Sequence, residues 1–132
     1  MLAPELRMLV FSGILGLAQI IAAAHAASLQ RGYRWTASPR DEPVIPLTAV
    51  PARLARALDN FSETFPIFAA AALAVHITGR SSELSAWGAG CYFWARVAYV
   101  PLYALGVPVV RSLVWNVAFA GIVMLLIGLL HG

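Results

Sequence analysis

Between Arg53 and Phe68 the chain reads R-L-A-R-A-L-D-N-F-S-E-T-F-P-I-F, polar in its first half and apolar from Thr64 onward. On a helix turning about 100° per residue, Arg56, Asn60 and Glu63 fall within about 60° of one another, with Arg53 and Asp59 at the edges of the stripe. Further along, Arg96, Tyr99 and Tyr103 share a face at i, i+3 and i+7, and Arg111-Ser112 follows. Guanidinium groups, phenol hydroxyls and one or two carboxylates suit a zwitterionic or anionic small molecule. Arginine offers bidentate contacts to carboxylates, and Asn60 and Glu63 can take an amino group and a peptide amide. An arginine or hydroxyl beside a thiol favours the thiolate, the nucleophilic form. The competing reading is a self-satisfied polar seam, with Arg56 on Asp59 or Asn60 and Glu63 on another arginine.

The elements that must position these groups are set by composition. Of 132 residues, 61% are hydrophobic and 11% charged, against about 25% charged in a soluble domain. The chain therefore reads as a single membrane domain over 1–132, all-α in class, a bundle of four transmembrane helices at about 8–28, 52–77, 84–105 and 109–130. The apolar part of the second helix, 64–77, spans only roughly 21 Å of a hydrocarbon core of about 30 Å. Its polar half must then lie at membrane depth, where a charge costs at least about 2.5–3.5 kcal/mol and normally faces protein, water or ligand. Glu63, roughly 16 Å into the second helix, and Arg96, roughly 14 Å before the end of the third, are expected to meet as a structural ion pair. Trp87, Tyr92, Phe93, Trp94 and Trp115 are expected to face lipid or packing.

Several other features bear on function. Prolines 39, 43, 46 and 51 exclude a continuous helix through the 30–51 connection. Pro66 is expected to kink the second helix, and Ser82 to cap the third. Glu5 offsets Arg7 and the first apolar run is long, so a cleaved leader is not expected. His25, His76 and His131 lack ligand-like spacing, so no metal site is expected, and Cys91 reads as a packed thiol. Asn60-Phe61-Ser62 is a glycosylation sequon only by letter, since it falls within a membrane helix. All nine basic residues are arginine, as in GC-rich bacterial genomes, and no nucleic-acid module is present. Arg31, Arg34, Arg40, Arg53 and Arg56 cluster at the first connection and Arg111 at the third. The positive-inside rule places those connections in the cytoplasm and both termini outside, periplasmic in a bacterial inner membrane.

At these residues the sequence resembles the MAPEG family, the membrane-associated proteins in eicosanoid and glutathione metabolism that include microsomal glutathione transferases. Arg56-Ala57-x-x-Asn60-x-x-Glu63-x-Phe65-Pro66 is similar to the family's second-helix motif. Arg96-x-x-Tyr99-x-x-x-Tyr103, followed by Arg111-Ser112, is similar to its third- and fourth-helix motifs. The resemblance implies a homotrimer of four-helix protomers that binds glutathione between subunits through Arg56, Asn60, Glu63, Tyr99, Tyr103 and Arg111. It implies Arg111, and secondarily Ser112, as the catalytic group that stabilises the thiolate. The implied activity is that of a glutathione-dependent transferase or peroxidase acting on lipophilic electrophiles delivered from the bilayer. Asp59 stands where known members carry a basic or apolar residue, Trp115 replaces a tyrosine seen in some, and Gln30 and Arg31 both fall where an arginine is expected. Alternatives are a MAPEG-like scaffold or binder without catalysis, and a small multidrug transporter using Glu63.

Overall fold

The computed structural model describes residues 1–132, and every regular element in it is helical. Four long helices, α1 (Pro4–Arg31), α3 (Ala49–Ile77), α4 (Glu83–Ala104) and α5 (Pro108–His131), are joined by short turns except after α1, where the short helix α2 (Tyr33–Ala37) intervenes. Proline opens α1 and α5 at their first positions, where a missing N–H leaves no bond unmade. A reciprocal pair of bonds between Ser82 and Ser85 starts α4, so the cap expected at Ser82 is present. Gly106, at φ +73°, ends it.

The helices extend further than the apolar pattern alone suggests. α3 begins at Ala49 rather than 52 and runs unbroken through Pro66; Pro51 falls in its first turn, where the ring is tolerated. The connection read as a proline-interrupted loop contains α2, which stops before Pro39. Two helices, α1 and α5, are long and apolar enough by themselves to cross a membrane, with mean hydropathies of 1.9 and 2.4 over an 18-residue stretch of each. The arginines, carboxylates and small polar residues of α3 and α4 lower their means, and these are the helices that carry most of the polar stripe.

α3 and α4 pack against each other. α1 lies against both on one side and α5 against both on the other, so α1 and α5 do not touch. The α4–α5 contact is the closest. A Cβ on Gly121 would lie 2.5 Å from the Gly88 carbonyl oxygen, and one on Gly88 would lie 2.7 Å from that of Gly121. Small residues at this crossing let the two backbones approach, the usual device where lipid removes the hydrophobic drive for helix association. Phe68, Val75, Tyr92, Ile122 and Leu125 fill the core around it. Phe68 stacks on Tyr92 at 4.0 Å, and the Tyr92 and Thr64 hydroxyls are hydrogen-bonded at 3.0 Å, tying α3 to α4 beside the polar stripe. At the far end, the buried Glu5 carboxylate accepts bonds from the Ser85 and Ser81 hydroxyls, fastening the start of α1 to the start of α4. Nothing in the residue pattern marks that anchor, because Glu5 reads as an ordinary first-turn acid.

Candidate functional site

One face of α3, one of α4 and one of α5 close around a cavity of about 370 Å³, a size within the range of about 300–1,000 Å³ typical of small-molecule sites. α3 contributes Arg56, Asp59, Asn60 and Glu63, which is the i, i+3, i+4, i+7 stripe. α4 contributes Tyr99 and Tyr103, and α5 contributes Arg111, Ser112, Trp115 and Asn116. Every binding and catalytic residue expected from the sequence therefore borders this single space. Its outer rim is exposed on the protomer at Arg56, Asp59, Glu63, Ser112 and Asn116.

Two adjoining tyrosines form the floor, with arginines against each. The Arg111 guanidinium lies 4.5 Å from the centre of the Tyr103 ring and that of Arg56 lies 5.9 Å from it. Arg56 Nε also donates to Tyr103 Oη at 3.3 Å. Tyr103 meets Tyr99 edge-on at 5.5 Å, and Arg96 lies 4.4 Å over Tyr99. Arg111 and Arg96 thus lie over the negative faces of their rings, an attraction that strengthens as water is excluded, while Arg56 reaches the hydroxyl end of Tyr103. Arg56 spends only Nε on Tyr103, so its Nη groups and the N–H groups of Arg111 are left for a carboxylate or a thiolate.

Arg96 corrects an expectation. Its Nη1 donates to Asn60 Oδ1 at 2.7 Å, and neither Nε nor Nη2 has a hydrogen-bond partner, so the expected bond to Glu63 is not made. The reason is register. Because α3 starts three residues early, Asn60 stands eleven residues in, the depth that a start at 52 assigns to Glu63. Glu63, one turn further, opens on the cavity instead. The fully buried Arg96 is held between the Tyr99 face and the Phe61 face, 5.6 Å away. It supports the floor from behind and fixes the amide of Asn60, so that the Nδ2 donors are the part of Asn60 left for a ligand.

Arg53, at the edge of the stripe, does not line the cavity; its Nη1 donates to the Ala104 carbonyl at 3.3 Å and closes the end of α4. Ser112 Oγ donates back to the Pro108 carbonyl at 3.2 Å, which leaves its lone pairs rather than its proton toward the cavity.

A match to the family model described as the MAPEG family covers residues 8–131. The chain belongs to the MAPEG family. None of the curated proteins matches it. Membership, with the two apolar helices, makes this an integral-membrane protein of a glutathione-associated family.

Within this MAPEG chain, two lining residues escaped the sequence reading. Trp115, expected to face lipid or packing, borders the cavity and stacks on Phe119 at 5.5 Å; its indole N–H has no partner. Asn116 lines it too, with Nδ2 donating to the Ser112 carbonyl at 2.9 Å. The signal was available: 111, 112, 115 and 116 form one face of a helix at i, i+1, i+4 and i+5. Trp87 and Trp94 are exposed on the apolar surface and Tyr92 and Phe93 are packed inside, as expected.

Proposed function

We propose that the protein is a glutathione-dependent transferase or peroxidase that conjugates or reduces lipophilic electrophiles at the α3–α4–α5 cavity. The observation that carries the reading is the convergence of Arg56, Asn60, Glu63, Tyr99, Tyr103 and Arg111 on one space. Glutathione presents two carboxylates, one ammonium and a thiol. Arg56 suits a carboxylate, Glu63 the ammonium, and the Asn60 amide a peptide group. Arg111 suits the sulfur: its guanidinium favours the anion of a thiol whose free pKa is about 8.5. Tyr99 and Tyr103 supply hydroxyls that can donate to the same sulfur or to a carboxylate. Ser112, beside Arg111, is the second candidate there, provided its hydroxyl turns from the Pro108 carbonyl to the sulfur.

In this reading all four long helices cross the bilayer, α3 and α4 because their polar faces are covered rather than exposed to lipid. Both termini are periplasmic in a bacterial inner membrane, and the first and third connections are cytoplasmic, where the arginines lie. Three protomers form a closed ring, and the exposed rim of the cavity is completed by the neighbouring copy. The electrophile, soluble in the hydrocarbon, reaches the sulfur from the bilayer.

The test is titration calorimetry of glutathione into detergent-purified protein, followed by thiolate absorbance of the complex against pH. The proposal expects saturable binding and a thiolate band at neutral pH. Binding without the band replaces the enzyme with a glutathione-binding scaffold, and no binding removes both readings.

A further inference from the structure

The connection between α1 and α3 is not a slack loop. Ser28 Oγ and Thr36 Oγ1 share a hydrogen bond at 2.9 Å, and His25 Nδ1 pairs with Tyr33 Oη at 3.1 Å, so α2 is fastened to the end of α1. The Gln30 amide clamps the far end, donating to the Thr48 carbonyl at 3.0 Å and accepting from the Thr48 N–H at 3.0 Å. Arg31 Nε donates to the Ile45 carbonyl at 2.7 Å and holds the middle. These ties frame a cavity of about 520 Å³, separate from the MAPEG site, bordered by Arg31, Arg34, Trp35, Arg40, Asp41 and Glu42.

Its chemistry is specific. The Arg31 and Arg40 guanidinium groups lie 5.4 Å and 5.5 Å from the Trp35 ring centre. The Trp35 Nε1 donor is enclosed and has no acceptor. Arg40 spends Nε and Nη2 on the Thr36 carbonyl and takes a left-handed backbone, φ 63°, with its N–H on Ser38 Oγ at 3.1 Å. That leaves the Nη groups of Arg31, Nη1 of Arg40 and the exposed Arg34 guanidinium free for an oxyanion. Two carboxylates border the same space. Exposed Ile45 lines it, and exposed Tyr33 and Val44 adjoin its lining residues in the chain, so apolar side chains lie beside the charged ones. A tryptophan with flanking arginines beside exposed aliphatic residues, at the end of an apolar spanning helix, belongs at headgroup depth.

We propose that this cavity is a phospholipid headgroup site, selective for a zwitterionic phosphate diester with a primary ammonium. The phosphate sits among Arg31, Arg34 and Arg40 as acceptor for their free N–H groups. The indole N–H of Trp35 is a further donor to it. Asp41 and Glu42 take the ammonium, which can donate hydrogen bonds where a trimethylammonium cannot. The acyl chains leave past Tyr33, Val44 and Ile45.

Native mass spectrometry of the full chain, released from bilayers of equal parts phosphatidylethanolamine, phosphatidylglycerol and phosphatidylcholine, tests this. The wild type should retain phosphatidylethanolamine at least severalfold over phosphatidylcholine. An R34Q/R40Q variant should lose retention of all three by a similar factor, and D41N/E42Q should lose only the preference for the primary amine. Unchanged circular dichroism and glutathione titration keep either result from being a folding artefact. Equal retention by wild type and R34Q/R40Q overturns the site, and preferred retention of phosphatidylglycerol overturns the role of the carboxylates. Displacement of the lipid by free phosphoethanolamine or inorganic phosphate at micromolar concentration overturns the lipid and assigns a soluble phosphate ester instead. Because glutathione is read separately, failure here leaves the proposed enzyme untouched.

Discussion

Tyr103 is gripped by two cations, Arg111 at 4.5 Å and Arg56 at 5.9 Å from its ring centre, and they are expected to separate on mutation. Arg111→Ala should raise the apparent pKa of bound glutathione, read as thiolate absorbance against pH, and lower turnover with an aryl halide by about 10²-fold, the scale for losing one anion-stabilising donor. Arg56→Ala should weaken binding instead and leave the thiolate fraction of the saturated complex nearly unchanged. Arg111→Lys should rescue partly, since an ammonium supplies the charge without the planar fork. A second expectation concerns Arg96 and Asn60. Each single replacement, Arg96→Met or Asn60→Leu, breaks a bond to a charged donor and should lower stability by about 1.5–3 kcal/mol. The double variant should recover part of that in thermal unfolding, while Glu63→Gln with Arg96→Met should be additive. The stripe 56, 60, 63 and the pair 99, 103 were legible because residues at those offsets share a helix face whatever the tertiary structure. The partner of Arg96 was not, because it depends on where α3 begins, and one turn of error moves the contact from Asn60 to Glu63.

The helices themselves are held in register by contacts that composition does not announce. Apolar length locates four long helices to within a few residues, yet misses α2, whose five residues have no period to detect and which is fixed by Ser28–Thr36 and His25–Tyr33 contacts across the chain. It also gives no reason to distinguish Gly88 and Gly121 from Gly13 or Gly90. In the structure a Cβ at Gly121 meets the Gly88 carbonyl oxygen at 2.5 Å and the Tyr92 nitrogen at 2.8 Å, all backbone that cannot move aside, whereas Gly90 and Gly13 have nothing within 4 Å. Gly121→Ala should therefore force α5 from α4 and destabilise by about 1–3 kcal/mol. Gly90→Ala should be neutral or stabilise by up to about 1 kcal/mol through helix propensity. Unfolding followed by circular dichroism in detergent separates the two. Since Tyr99 and Tyr103 are on α4 and Arg111 is on α5, Gly121→Ala should also loosen glutathione binding, although it lies outside the cavity. Equal behaviour of Gly121→Ala and Gly90→Ala would remove the crossing from its role in shaping the site.

At the scale of the whole molecule, the arrangement of the rim argues for more than one copy. Arg56, Asp59 and Glu63 are exposed on the isolated protomer, yet they precede the apolar half of α3 and lie at membrane depth if that helix spans the bilayer. A charged side chain facing lipid costs at least about 2.5–3.5 kcal/mol on insertion scales, so three in a row could not be left there. Arg56 is engaged by Tyr103, but the protomer offers no cation to Glu63 or Asp59 within the cavity other than Arg56 and Arg111. A neighbouring copy that covers this face would exclude lipid and bury the ligand, completing a wall that the protomer leaves open between α3 and α5. A cyclic arrangement satisfies every copy in the same way, as closed symmetry requires. Native mass spectrometry in detergent should find three copies, with dissociation to monomers abolishing glutathione binding. Glu63→Leu should spare the fold, because Glu63 makes no contact that orders the protomer core, but should weaken glutathione affinity at least tenfold if it receives the ammonium. Asp59→Asn should change affinity less, since Asp59 is at the margin of the stripe. A stable monomer that binds glutathione as tightly as the assembly would show that α3, α4 and α5 of one chain are sufficient, and would leave the exposed carboxylates to be explained by water in the cavity rather than by a partner.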